Sequence, residues 1–457
     1  MTHPELTCCW TSAAHIAFDI CPWARLVMKM VEIELPYDDK RTRIHIPDDR
    51  LAAVLQPRHI PHLEEEDVLK EALSSPLGTP SLEKFLEGCE DVIFIVNDST
   101  RQTPTARILD RILPHIPHGV KKSFIVACGT HRPPRDEEYA MLLGKNIAED
   151  PYNTLLFHDA RDPKQLVKVG VTESGRDVVI NKHVAEATRV IVITSVEPHY
   201  FAGYTGGRKS FLPGVANYQS IEENHSFALD PGACTLRLEG NPVHQQMEEF
   251  ARVAAGDKTF GVLTIVNQEG NVVGGACGDL FRSFYNCVDI AREVYTAPFS
   301  EKADVVISAA PHSMDINLYQ AQKAMENGRL ALNDGGILIL VASCKEGVGP
   351  EDFYDLLRSE ETPSLVLEKI RREYKLGYQK TAKIAHLQTL SEVWAYTRLD
   401  PSILEAVNMR SIVNLQSAVD EALEKTGGKV IVLPAGSITV PALSGVTECS
   451  KEALRTP

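Results

Sequence analysis

The chain has no apolar run approaching the ~18 residues of a membrane-spanning helix. It has no internal repeat of fixed period and no low-complexity tract. Positive charge is in deficit: 62 Asp and Glu stand against 47 Lys and Arg, a net charge of −15. That balance disfavours nucleic acid and anionic membranes as partners. Ten cysteines are scattered with no C-x-x-C pair, so neither a structural zinc site nor a thioredoxin-like motif is expected. The pattern fits a reduced, cytoplasmic protein. Cys128 and Cys344 end apolar runs and read as small buried hydrophobes. No G-x-G-x-x-G follows the first parallel-type strand. Residues 1–30 lack a basic n-region, and Asp19 and Arg25 interrupt their apolar part, so they read as a peripheral extension rather than a signal peptide.

What is present is an ordinary soluble balance, 44% hydrophobic and 24% charged over 457 residues, enough chain for two or three domains. Residues 31–35 and 42–46 alternate like half-buried strands around a polar turn. Residues 91–96, 123–128 and 188–194 are continuous apolar runs, each followed by a chemically rich loop. A second series of strand, loop and helix starts near residue 303. Strand, loop and helix in series predict an α/β fold: two domains, each on a mainly parallel, Rossmann-like sheet with flanking helices. The expected boundaries are 31–295 for the N-terminal domain, 296–425 for the C-terminal domain, and 426–445 for a strand returning to the first. Ligands bind beyond the carboxyl ends of such strands. That rule gathers Asp98, Arg101, His131, His199 and Lys209 on one edge.

The densest chemistry lies in residues 197–210, from Glu197 and His199 through Gly203, Gly206 and Gly207 to Arg208, Lys209 and Ser210. Glycines let a backbone approach a bound group, and the cations suit an anion. The spacing is not that of a Walker loop. Four further blocks are spaced along the chain: Asp98-Ser99-Thr100-Arg101, Gly129-Thr130-His131-Arg132-Pro133, Asn224-His225, and Tyr319-Gln320-Ala321-Gln322-Lys323. Together, in this order, the five blocks closely resemble the lactate racemase family, whose members carry a nickel pincer nucleotide. The resemblance runs from about residue 31 to about residue 440.

The resemblance implies a residue-by-residue site. Lys209 matches the lysine joined to the cofactor through a thioamide, a bond that only a neutral amine can form. His225 matches the nickel ligand, and imidazole suits that metal. His131 and His199 match the acid–base pair, as inversion needs a proton-transfer group on each face of a planar intermediate. Arg101, Gln320 and Lys323 match the substrate-carboxylate binders; Gln320 and Lys323 are three apart on a predicted helix and share a face. Tyr319 lines the pocket, Asp98 and Thr100 lie near the cofactor, and Arg208 and Ser210 hold its phosphate. Among the remaining histidines, His312 is expected nearest the pocket.

The implied reaction is racemisation or epimerisation of a small-molecule 2-hydroxy acid: hydride leaves C2 for the cofactor and returns to the other face. The implied partners are that acid and the enzymes that build the cofactor. One departure matters. Where lactate racemase has a tryptophan over its site, this chain reads Tyr378-Gln379-Lys380-Thr381. A lysine there predicts a substrate other than lactate: a dicarboxylic, aromatic or sugar acid. The alternatives are a nucleotide-dependent 2-hydroxyacid dehydrogenase and a non-catalytic nickel or cofactor carrier.

Overall fold

The computed structural model of the protein describes residues 29–57, 64–101, 103–267 and 269–444. The expected extension, residues 1–30, lies almost wholly outside them. A hairpin comes first, β1 (Met30–Tyr37) antiparallel to β2 (Lys40–Pro47), then the short β3 (Leu51–Val54). β4 (Asp91–Asn97), β5 (Lys121–Ala127) and β6 (Asn153–Phe157) are parallel neighbours. A hairpin of β7 (Leu166–Val171) and β8 (Asp177–Asn181) precedes β9 (Arg189–Ser195), which pairs with β4. Two-residue strands β10 (Pro198–His199) and β11 (Gly203–Tyr204) fold the next stretch back on itself. β12 (Thr259–Val266) and the antiparallel edge strand β13 (Val272–Gly278) complete a six-stranded sheet, ordered β13-β12-β9-β4-β5-β6.

The rest of the chain builds a second sheet. β14 (Thr296–Phe299) lies outside it; β15 (Ala303–Ala309), β16 (Leu332–Val341), β17 (Glu392–Tyr396), β18 (Arg410–Ser411) and β19 (Val430–Leu433) lie within it. Its order is β18-β17-β16-β15-β19-β3, all parallel. β20 (Val440–Leu443) pairs with β14.

The central strands are apolar on both faces because helices cover both. In β4, Val92, Phe94 and Val96 enter one core and Ile93 and Ile95 the other, the period of two of a pleated strand. In β16, Ile337, Ile339 and Val341 face one core and Leu338 and Leu340 the other.

Two expectations are corrected here. The hairpin and β3 do not join the first sheet, although they fall within the predicted 31–295 domain. Ile33, Leu35, Ile44 and Ile46 pack with β15, β16 and Trp394, and β3 hydrogen-bonds to β19. Alternation gives a strand one apolar face but does not say which sheet covers it. Nor does the strand within 426–445 return to the first domain. β19 lies between β15 and β3, and β20 pairs with β14 at the start of the second half.

Candidate functional site

The loops after β4, β5 and β9 leave the same edge of the first sheet, since these strands are parallel neighbours in register. The loop after β4 carries Asp98, Thr100 and Arg101, and the loop after β5 carries His131. His131 Nδ1 and Asp98 Oδ2 stand 2.6 Å apart. The hydroxyl and the backbone N–H of Thr100 donate to the other Asp98 oxygen at 2.5 and 3.1 Å. Burial pushes the Asp98 carboxyl up, but the His131 bond, with Thr100 and Arg101, wins and holds it below the usual carboxylate value. A carboxylate on Nδ1 leaves Nε2 of His131 as the working nitrogen.

The stretch after β9 is a tight knot. Val196 to Thr205 fold over β10 and β11, fastened by Thr205, whose backbone N–H donates to the Glu197 carbonyl at 2.7 Å and whose hydroxyl donates to the Ser195 carbonyl at 3.1 Å. Gly203 has φ +75°, and a Cβ there would meet the Arg237 carbonyl oxygen at 2.1 Å; at Gly206 (φ +81°) it would meet that of Ser195 at 2.7 Å. Both glycines are therefore required by the protein's own packing. Phe201 stands at the centre. Its ring lies 4.5 Å from the His199 ring and 5.2 Å from the His225 ring, both edge-on, and 5.8 Å from Lys209 Nζ. Asn241, which caps the helix Pro242–Ala255, donates from Nδ2 to the Phe201 carbonyl at 2.9 Å and fixes this knot to the helix.

His199 is 9% exposed, and the backbone N–H of Ala202 donates to its Nδ1 at 3.2 Å. Its neutral ring therefore carries the proton on Nε2. Burial, then the charges of Lys209, Arg101 and Lys323, push its pKa well below the ordinary histidine value. Lys209 is pushed well below an ordinary lysine, by burial first and then by Arg101, Arg208 and Lys323. The shift favours the neutral amine, the form that can be acylated.

Arg208 is not where a phosphate could use it. It is 1% exposed; Nε donates to His244 Nδ1 at 2.8 Å, Nη1 to the Gly206 carbonyl at 3.3 Å, and Nη2 to the Ala202 and Tyr204 carbonyls at 2.9 and 3.1 Å. The guanidinium also lies 4.1 Å from the Phe284 ring centroid. All three nitrogens are engaged within the protein, so the expected phosphate role is replaced by a structural one. Ser210 is buried beside it, and Thr100 is exposed and serves Asp98. His312 is exposed, 3.8 Å from Asp315, and does not line the cleft between the halves. His244, which no motif marked, instead supports the knot from behind: its Nε2 is 3.1 Å from Glu248.

His225 lies on the helix Tyr218–Ser226. Asn224 beside it is fully buried and donates to the Val243 carbonyl and Gln246 Oε1 at 3.1 and 2.8 Å, which fixes the helix against its neighbour. Burial, then Lys209, push the His225 pKa down to about 3, although the Ile221 carbonyl one turn back opposes this. Its Nδ1 is buried and makes no hydrogen bond of good geometry. A neutral imidazole beside a buried amine of lowered proton affinity fits a soft-metal cofactor tethered through that amine.

The second half closes the site. The helix Leu318–Arg329 is capped by Asn317, whose side chain accepts from the Gln320 N–H at 2.9 Å. Its Lys323 joins Arg101, Glu197 and His199 in lining a cleft between the halves, together with Thr235, Asn327 and Ser437. Burial and Arg101 push Lys323 below an ordinary lysine. Lys380 lies close by: Nζ donates to the Tyr319 carbonyl at 3.1 Å and sits 3.4 Å from that ring's centroid. The structure thus brings Arg101, His199 and Lys323 into one cleft. His131, Tyr319, Gln320, Lys209 and His225 stand outside its lining. Cys128 and Cys344 are buried thiols raised to about 12, as hydrophobic roles require.

This architecture and site define a class: a two-sheet α/β protein whose halves meet at a cleft lined by Arg101, His199 and Lys323. The comparisons agree. Residues 37–235 match the family model described as the lactate racemase N-terminal domain, and residues 299–440 match the C-terminal domain. The lactate racemase of Lactiplantibacillus plantarum is 31% identical over 423 residues, covering 89% of this chain and 99% of that protein. That of Thermoanaerobacterium thermosaccharolyticum is 32% identical over 350 residues, covering 75% and 81%. The solved lactate racemase apoprotein from the latter organism superposes with a TM-score of 0.84 at 29% identity, over 90% of this chain and 100% of that one. The chain belongs to the lactate racemase family. It is an isomerase of the racemase class, and among its described residues no helix is long and apolar enough to cross a membrane.

Proposed function

We propose that this racemase inverts C2 of a 2-hydroxy acid other than lactate, with a nickel pincer nucleotide tethered at Lys209 and ligated by His225. The observation that carries the reading is a buried, neutral His225 sharing the Phe201 ring with Lys209, whose proton affinity is lowered by burial and neighbouring cations. When bound, that group supplies a hydride acceptor and donor beside the substrate.

The chain's own residues do the rest. Arg101 and Lys323 hold the carboxylate; a guanidinium fork and an ammonium fix its plane. His131, with Nδ1 committed to Asp98, offers Nε2 to take the hydroxyl proton. His199 presents Nε2–H to the substrate oxygen from the buried side, and the 56% exposed His131 reaches it from the open side. For the opposite enantiomer His199 takes the hydroxyl proton only from the other tautomer, with Nδ1 released from the Ala202 N–H. Pro198, Tyr200 and Tyr295 line the same cleft and limit water at the reacting centre. Lys380, at the position where the resemblance places a tryptophan, is the sequence departure behind a substrate other than lactate, and it acts on the pocket through Tyr319 rather than by touching the substrate. A dehydrogenase or carrier role finds no comparable support, since a carrier has no use for an oriented acid–base pair.

The test is to produce the protein alongside the nickel-pincer biosynthetic enzymes, take its intact mass, map any adduct, and follow enantiomers of several 2-hydroxy acids by chiral chromatography. The expected result is an adduct on Lys209 and inversion of at least one acid. An unmodified Lys209, in a host that loads a control racemase, contradicts the reading.

A further inference from the structure

The cleft that holds Arg101, Lys323 and His199 continues to Thr235 on the first half and Ser437 on the second. Both hydroxyl oxygens are buried and have no hydrogen-bond partner in the protein. An unpartnered buried hydroxyl is costly, and two of them on opposite walls of one substrate cleft mark a place where a ligand supplies the missing bonds.

Both are held on rigid supports. Ser437 follows Gly436, whose N–H donates to the Ala309 carbonyl at 2.7 Å and whose own carbonyl accepts from Asn327 Nδ2 at 2.7 Å. Thr235 precedes Leu236, whose N–H donates to the Gly203 carbonyl at 3.2 Å, against the knot that carries His199. Hydroxyls fixed in this way select by hydrogen bonding rather than by shape alone.

We infer that Thr235 and Ser437 form a hydroxyl-recognition subsite, so that the acid inverted here is an aldonic acid, a 2-hydroxy acid carrying further hydroxyls along its chain. This rests on the racemase reading above and narrows its substrate class. An aromatic acid would leave both side chains unpaired. A second carboxylate finds no free cation at this end: Lys380 is outside the cleft lining and already engages the carbonyl and ring of Tyr319. A chain of hydroxyls can donate to and accept from Thr235 and Ser437 while its carboxylate stays on Arg101 and Lys323.

The test compares gluconate with lactate, malate and phenyllactate on the loaded enzyme, then on Thr235→Val and Ser437→Ala. Gluconate is expected to have the highest kcat/KM. Its selectivity over lactate should fall about tenfold in each variant, the worth of one hydrogen bond. Thr235→Ser should restore it. Equal losses for gluconate and lactate would mean structural roles and overturn the inference, as would wild-type preference for malate, phenyllactate or lactate. Inversion of none of the four by an enzyme with Lys209 loaded would overturn both the inference and the racemase reading.

Discussion

The Asp98 carboxylate and the His131 imidazole, from loops after adjacent parallel strands, meet at 2.6 Å. The contact fixes the tautomer of an otherwise open histidine. Asp98→Asn keeps the shape but removes the charge that favours Nδ1–H. Turnover is expected to fall about 10²-fold or more, the usual weight of an oriented acid–base group. Because Asp98 lies on a partly open edge, the melting temperature should stay near that of the wild type. Kinetics and thermal melts on the same preparation check this.

Arg208 gives a prediction of the opposite kind. A phosphate-holding arginine would, when lost, weaken cofactor retention and leave the fold alone. A buried guanidinium serving Gly206, Ala202, Tyr204 and His244 does otherwise. Arg208→Ala is expected to cost about 3 kcal/mol or more of unfolding free energy, since it strands buried acceptors. Urea denaturation of the protein without cofactor measures it directly. Unchanged stability would return Arg208 to the ligand.

The cationic cleft predicts a pH dependence. Lys323 has its pKa lowered by burial and by Arg101. The group binds a carboxylate only when protonated, so that ability is lost as pH rises through the lowered value. KM should therefore begin to climb below about pH 10, where an exposed lysine still holds its proton. Lys323→Arg should flatten the profile. A wild-type KM flat to that pH would contradict the assignment.

Much of this was legible in the sequence, for a physical reason. Continuous apolar runs such as 91–96 mark strands buried on both faces, and the loops that leave the carboxyl ends of parallel strands gather on one edge. That expectation matches the meeting of Asp98 with His131 and the shared cleft of Arg101 and His199. What was not legible is what depends on partners distant in the chain. The hairpin of residues 30–47 advertises one apolar face but not its destination on the second sheet. Arg208 beside two glycines reads the same whether it meets a ligand or four protein acceptors. His312 comes after a strand as His131 and His199 do, yet faces solvent. Thr235 and Ser437 carry no signal, because hydroxyls in loops are commonplace and only the fold makes these two both buried without a partner and part of the cleft lining.

The most direct test of the account is the fate of the C2 hydrogen. The loaded enzyme should be given one enantiomer of its acid carrying deuterium at C2, in ordinary water, and the inverted product examined by mass spectrometry. Hydride departure and return within the site predicts that the product keeps its deuterium. Its replacement by solvent hydrogen would mean that C2 is inverted by proton removal, and would contradict the account at its centre.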